Sequence, residues 1–124
     1  MAERTFQAEE LKKRTKAFAI RVVNLFRRLP RTEEARTIGR QLLRSGTSVA
    51  ANYRAVCRSR SKAEFVAKIG IVVEEIDETI FWIELMADTE IFKKARLKDL
   101  LTEANELLAI FAASQRTARS SMSR

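Results

Sequence analysis

Residues 36–55 read RTIGRQLLRSGTSVAANYRA, and the spacing of apolar residues in this segment indicates the fold class. One face recurs at alternating steps of four and three residues, which is the repeat of an α-helix. In order, this face carries Ile38, Leu42, Ser45, Val49, Asn52 and Val56. An unpartnered buried polar group costs about 1 to 3 kcal/mol. Either the helix is therefore interrupted near Ser45 and Gly46, or Ser45 and Asn52 are buried and hydrogen-bonded. We favour a continuous helix over residues 32–57 that can kink at the Ser-Gly pair.

Capping signals place the neighbouring helix boundaries. Thr32 is the expected N-cap of the helix described above, since its side chain can accept a hydrogen bond from a free backbone N–H. A helix over residues 5–29 comes before it and must end at Pro30, whose ring clashes with the preceding turn. A third helix over residues 62–88 begins at a capping box, S-K-A-E at residues 61–64. In this motif the side chains of the first and last residues each accept a hydrogen bond from the backbone N–H of the other.

A fourth helix is predicted over residues 93–117, and residues 118–124, which lack apolar periodicity, are expected to fray. The other three helices also carry apolar stripes suited to a common core. These stripes are Leu11, Phe18, Val22, Leu25 and Leu29; Phe65, Ile69, Val72, Ile76, Thr79, Ile83 and Met86; and Leu97, Leu100, Leu101, Ala104, Leu107, Leu108 and Phe111. Short connections make neighbouring helices antiparallel, so residues 1–124 are predicted to form one all-α domain, an antiparallel up-down-up-down four-helix bundle.

The third predicted helix carries a second apolar line at Val66, Val73 and Ile80. The two lines together make this helix more apolar than a single bundle seam requires. Part of it is therefore expected to face another subunit.

The residue content argues against several classes of protein. No apolar run approaches the roughly 20 residues that span a bilayer, and the mixed-charge N-terminus is not signal-like, so we expect a soluble, cytoplasmic protein without a membrane partner. Cys57 is the only cysteine and histidine is absent, which excludes a disulfide within the chain and disfavours thiolate or imidazole catalysis. We interpret Cys57 as a small packing residue and expect no cofactor.

Positive charge is concentrated in the first half of the chain. The net charge is +8, with 15 Lys and Arg against 5 Asp and Glu in residues 1–60, and 9 against 11 in residues 61–124. Such asymmetry is typical of proteins that bind polyanions, although basic surfaces also serve solubility and subunit pairing.

The predicted second helix collects five arginines, which we call the basic stripe: Arg36, Arg40, Arg44, Arg54 and Arg58. Positions 18 residues apart on a helix point in the same direction, so Arg36 aligns with Arg54 and Arg40 with Arg58. Adjacent cations repel by a few tenths of a kcal/mol per pair, roughly, so an anion should offset them. Phosphates of a nucleic acid and carboxylates of the acidic third helix are both suitable partners, and the sequence leaves both open.

The acidic cluster on the third helix does not predict a metal site. Two-metal bundles pair Glu with a Glu-x-x-His motif, and this chain has no histidine. We expect Glu75, which shares a face with Lys68, to be solvated or ion-paired. The cluster comprises Glu74, Glu75, Asp77, Glu78 and Glu84.

Two other features do not predict a binding site. The S-G-T-S run at residues 45–48 lacks the spacing of a phosphate-binding loop. Tyr53 and Trp82 are interpreted as core or interface residues rather than platforms for bases.

Three segments of the chain resemble a known family. Residues 36–55, SRSKAEF at 59–65 and EEIDET at 74–79 are similar to the bacterial four-helix-bundle proteins encoded in intervening sequences of 23S ribosomal RNA genes. The likeness runs from Phe6 to Arg119 and includes EANEL at 103–107 and AAS at 112–114.

The resemblance implies a bundle that assembles into a ring-like homo-oligomer, a pentamer, without established catalytic activity. The family is also similar to accessory variability proteins of diversity-generating retroelements, basic bundles that bind nucleic acid and a reverse transcriptase. Its motif residues in this chain are assigned structural roles: Ser45, Gly46, Asn52, Ser61, Glu64 and Glu75.

Two functions are consistent with these features, and neither is enzymatic. The first is a homo-oligomeric nucleic-acid-binding or ribonucleoprotein accessory protein that contacts phosphates of RNA or DNA through the basic stripe. The second is an oligomeric scaffold whose basic stripe is used in contacts between subunits. The identity of any protein partner is not encoded in a recognisable motif.

Overall fold

A computed structural model describes residues 2–122, with side chains described from Phe6 onward, and shows four α-helices. They are α1 (Ala2–Arg28), α2 (Glu33–Val56), α3 (Lys62–Asp88) and α4 (Lys94–Met122). Each helix packs against the next along the chain, whereas α1 and α4 meet only sparsely. The predicted antiparallel four-helix bundle is confirmed, and the part of the chain that the structure describes contains no strand.

The core is built from the stripes that the periodicity predicts. Val22, Val49, Ile76, Leu107 and Phe111 are each 0% exposed, so all four helices contribute to one interior. Five apolar members of the predicted stripes are half-buried rather than buried: Leu11, Ile38, Phe65, Leu101 and Leu108. Each fully buried side chain of this size contributes about 1.5 to 3 kcal/mol from removal of apolar surface from water.

Both predicted N-caps are formed. Thr32 Oγ1 accepts a hydrogen bond from Ala35 N at 3.3 Å, and Ser61 Oγ accepts one from Glu64 N at 3.0 Å. The Glu64 carboxylate meets Lys68 Nζ at 2.7 Å, so Lys68 pairs with this residue and not with Glu75. The hydrogen bond from Lys68, with a smaller contribution from the backbone of Arg60, holds the pKa of Glu64 below its ordinary value.

The polar positions of α2 are hydrogen-bonded within an uninterrupted helix. Ser45 is 0% exposed, and its hydroxyl hydrogen-bonds that of Thr79 on α3 at 2.9 Å. Thr79 Oγ1 also donates to the carbonyl of Glu75 at 2.7 Å. Asn52 is half-buried rather than buried, and its amide donates to the carbonyl of Ser48 at 2.9 Å. These bonds remove the desolvation cost that an unpaired polar group would carry in the bundle seam.

The end of α4 differs from the expected frayed tail. The helix continues past Thr117 to Met122, because the intervening residues include no Gly or Pro to stop it. Ser121 also accepts a hydrogen bond from Lys62 Nζ at 2.5 Å, which ties this turn to the start of α3. The last two residues of the predicted tail, 123 and 124, lie outside the described residues. None of the four described helices contains an apolar run that would carry it across a membrane.

Gly46 allows α1 and α2 to approach closely. A Cβ at this position would lie 2.9 and 3.0 Å from the two γ-methyl groups of Val22, which is itself 0% exposed. Gly70 on α3 differs, because the atom nearest to its added Cβ, at 2.9 Å, is the terminal amide nitrogen of the flexible Gln115 side chain.

These two glycines should respond oppositely to alanine. Gly46→Ala is expected to lower the free energy of unfolding by about 1 kcal/mol, because overpacking costs about 1 to 3 kcal/mol and helix propensity returns about 1. Gly70→Ala is expected to raise it by about 0.5 to 1 kcal/mol through propensity. Urea unfolding at one fixed protein concentration measures both, and shifts of equal sign and size would contradict the close approach at Gly46.

Candidate nucleic-acid interface

The basic stripe lies on the outward side of α2 and of the turn that follows it. Burial of Leu42, Val49 and Val56 on the opposite side fixes this orientation. Arg58 lies just beyond the helix, and its backbone N–H donates to the Ala55 carbonyl at 3.1 Å, so the turn keeps the helical direction. Arg36 is half-buried, and the four other arginines of the stripe are exposed.

Carboxylates of α3 neutralise one member of the stripe, Arg44. Its Nη1 lies 3.4 Å from Glu75 Oε2, and its Nη2 contacts Glu78 Oε2. The same oxygen of Glu78 accepts a hydrogen bond from Trp82 Nε1 at 2.9 Å. Arg44 is therefore ion-paired where α2 and α3 meet, and its partners are carboxylates of the acidic third helix, one of the two kinds of partner that the sequence left open.

Arg36 is held by an aromatic ring instead of an acid. Its guanidinium carbon lies 4.8 Å from the centroid of Phe26 on α1. A guanidinium over a ring in this way contributes about 0.5 to 1 kcal/mol at an exposed site. The contact orients the donor without neutralising its charge.

Arg40, Arg54 and Arg58 have no ion pair and no side-chain hydrogen bond among the described residues. All three are exposed on one side of the molecule. Of the five arginines of the basic stripe, three are thus available to an external anion. One lies over an aromatic ring and keeps its charge, and one is ion-paired within the bundle.

A second basic line, on α1, consists of Arg14, Arg21 and Arg28, spaced by seven residues, and it is also divided. Arg14 Nε and Nη2 each donate to Glu103 on α4 at 2.7 Å, and Glu106 lies 3.6 Å from Nη2. The hydrogen bond with Glu103 raises the pKa of Arg14 above its ordinary value. Arg21 and Arg28 remain exposed. Sequence reasoning missed this bidentate pair, which joins residues 89 positions apart.

Comparison with known proteins places the chain in a family. The family model described as 23S rRNA-intervening sequence protein matches residues 8–113. The chain belongs to this family. It is also similar to a protein of unknown function from the S23 ribosomal protein family, from Bacteroides thetaiotaomicron, for which there is a crystal structure. The two sequences are 29% identical. That match has a TM-score of 0.81 and covers 88% of this chain and 97% of the other. No curated protein matches the chain.

The residues that carry the family resemblance lie in the scaffold around the basic stripe. Ser45 and Gly46 make close contacts to α3 and α1, and Ser61 caps α3. Glu75 holds Arg44, while Asn52 bonds within its own helix. In this family member the motif therefore fixes how α2 sits against its neighbours, and with it the direction in which the stripe faces.

Other potentially reactive groups do not form a site. Among the residues that the structure describes, no group of three or more His, Cys, Asp or Glu side chains could hold a metal ion. Cys57 is exposed at the C-cap of α2, so its interpretation as a packing residue is wrong. Tyr53 is buried with its ring 5.0 Å from that of Phe111, and Trp82 is half-buried against Phe81.

Proposed function

We propose that this family member is a non-catalytic, homo-oligomeric protein that binds nucleic acid or serves a ribonucleoprotein, with a pentamer as its assembly. The observation that carries the proposal is the set of three exposed arginines without an internal partner, Arg40, Arg54 and Arg58. Their planar guanidinium groups match the paired oxygens of a phosphate. The family description, which refers to 23S rRNA, is consistent with a nucleic-acid partner.

The stripe suits phosphates better than base edges. Its arginines project from one outward side of a helix whose opposite side is buried, so they meet a ligand with the side of α2 and not with its end. Contacts to phosphate fix position on a nucleic acid without reading its sequence. We therefore expect binding with little base specificity.

The salt dependence of binding tests the proposal. Affinity for structured RNA and for duplex DNA should fall as salt rises, with a slope of roughly 0.9 for each neutralised phosphate on duplex DNA. Arg40→Gln should reduce that slope by about one unit. Arg44→Gln is the matched comparison and should reduce it less, because Glu75 and Glu78 already hold Arg44. Affinity that does not change with salt, or equal losses in the two variants, would contradict the proposal.

A second function, an oligomeric scaffold, is favoured by a different surface. Ile71 and Phe81 on α3 are 45% and 52% exposed, and the same helix carries exposed Glu74 and Asp77. An apolar and acidic face of this kind is suited to the basic stripe of a second copy. In that case the arginines of the stripe would be consumed by contacts between subunits.

A further inference from the structure

The basic stripe is not evenly charged along α2. Arg36 and Arg40 form one cluster and Arg54 and Arg58 another, because Arg44 between them is held by Glu75 and Glu78. With a rise of 1.5 Å per residue, Arg40 and Arg54 are separated by about 21 Å along the helix axis and point within about 40° of the same direction.

The middle of the stripe is small and neutral. Ala51 is exposed there, and Thr47 turns its hydroxyl back to donate to the Leu43 carbonyl at 2.7 Å. A single strand of nucleic acid lying along α2 would place phosphates over this middle segment, where no free cation meets them.

Helix α2 itself offers no exposed aromatic side chain on which the bases of a single strand could stack. Tyr53 is 5% exposed and packs on Phe111, while Phe26 is covered by Arg36. Trp82 lies on α3, with its ring nitrogen bonded to Glu78. Proteins that bind single strands without sequence preference depend on exposed aromatic side chains for much of their affinity.

We propose that the basic stripe straddles a groove of a nucleic-acid duplex, with Arg36 and Arg40 on one backbone and Arg54 and Arg58 on the other. This inference rests on the proposed nucleic-acid function and specifies its ligand. The major groove of B-form DNA is about 12 Å wide, so two arginines about 21 Å apart reach beyond it to the phosphates on both sides. A-form RNA offers the same chemistry across its wide, shallow minor groove.

Neutralising one strand of a duplex distinguishes straddling from binding along one backbone. Fluorescence anisotropy would compare an RNA duplex and a DNA duplex of about 16 base pairs, their separate unstructured strands, and duplexes in which one strand carries neutral methylphosphonate linkages. At least one intact duplex should bind about tenfold or more tightly than either of its strands, because two linked contacts reinforce each other. Neutralising one strand should remove most of that advantage.

The arginine variants supply the second arm of the experiment. Arg40→Gln and Arg54→Gln should each weaken binding to the intact duplex, yet cause little further loss on the half-neutralised duplex, where one cluster already faces no charge. Arg21→Gln, an equal charge change at an exposed position of α1, is the control and should alter neither. Single strands that bind as tightly as duplexes, or arginine losses that are equal on both duplexes, would overturn the inference while leaving nucleic-acid binding in place. Absence of binding to any of these ligands would overturn both.

Discussion

Phe111→Ala is expected to lower the free energy of unfolding by about 3 to 5 kcal/mol. The side chain is 0% exposed and its ring packs against the ring of Tyr53, so alanine would leave a cavity in the core of the bundle. For a domain whose total stability is about 5 to 15 kcal/mol, this is a large part of the whole. Urea unfolding followed by circular dichroism measures the change.

Phe6→Ala is the matched control for this experiment. Phe6 is 66% exposed, so the same substitution should cost less than about 1 kcal/mol. Both variants must be compared with the parent at equal protein concentration, because oligomerisation shifts apparent stability. If Phe111→Ala costs no more than Phe6→Ala, the burial of Phe111 in the bundle core is contradicted.

The fold was predictable because it depends on local signals and periodicity. The spacing of apolar residues identified the four helices, and Thr32 and Ser61 marked two of their starts through side chains that cap backbone donors three residues on. The end of α4 was not predictable in this way, since the helix runs to Met122 and not to Thr117. No Gly or Pro follows Thr117 to end the helix, and polar composition alone does not end a helix that contacts its neighbours.

The candidate site was predictable as a set of residues but not as a set of contacts. Whether an outward arginine meets an acid depends on the rotation of neighbouring helices, which periodicity leaves undetermined. The pairing of Arg14 with Glu103 and the stacking of Arg36 on Phe26 are of this kind. Both depend on where a second helix sits and not on the sequence around the arginine.

The contact of Arg44 with the acids of α3, in contrast, did have a signal in the sequence. In an antiparallel helix pair, residues equally distant from the connecting turn lie opposite each other. Ser59 lies in the turn between α2 and α3. Arg44 comes 15 residues before Ser59, and Glu74 comes 15 residues after Ser59. Counting outward from the turn would therefore have placed Arg44 opposite the acids near Glu75.

The double variant Arg40→Glu/Arg58→Glu is expected to reduce affinity for nucleic acid by about 100-fold or more at low salt. Two phosphate contacts are lost, and two carboxylates are placed against the phosphate backbone. Neither arginine has an ion pair among the described residues. The free energy of unfolding should accordingly change little, which urea unfolding would verify before binding is measured.

Binding and assembly measured together on this double variant test the nucleic-acid proposal most directly. Fluorescence anisotropy with structured RNA and duplex DNA would report affinity, and light scattering would report the mass of the assembly. If the basic stripe binds phosphates, the variant loses affinity and keeps the mass of the parent protein. If the variant keeps its affinity, the stripe does not bind the phosphates and the proposal is wrong. If the variant dissociates while the parent shows no affinity for nucleic acid, the stripe is a subunit contact and the proposal is also wrong.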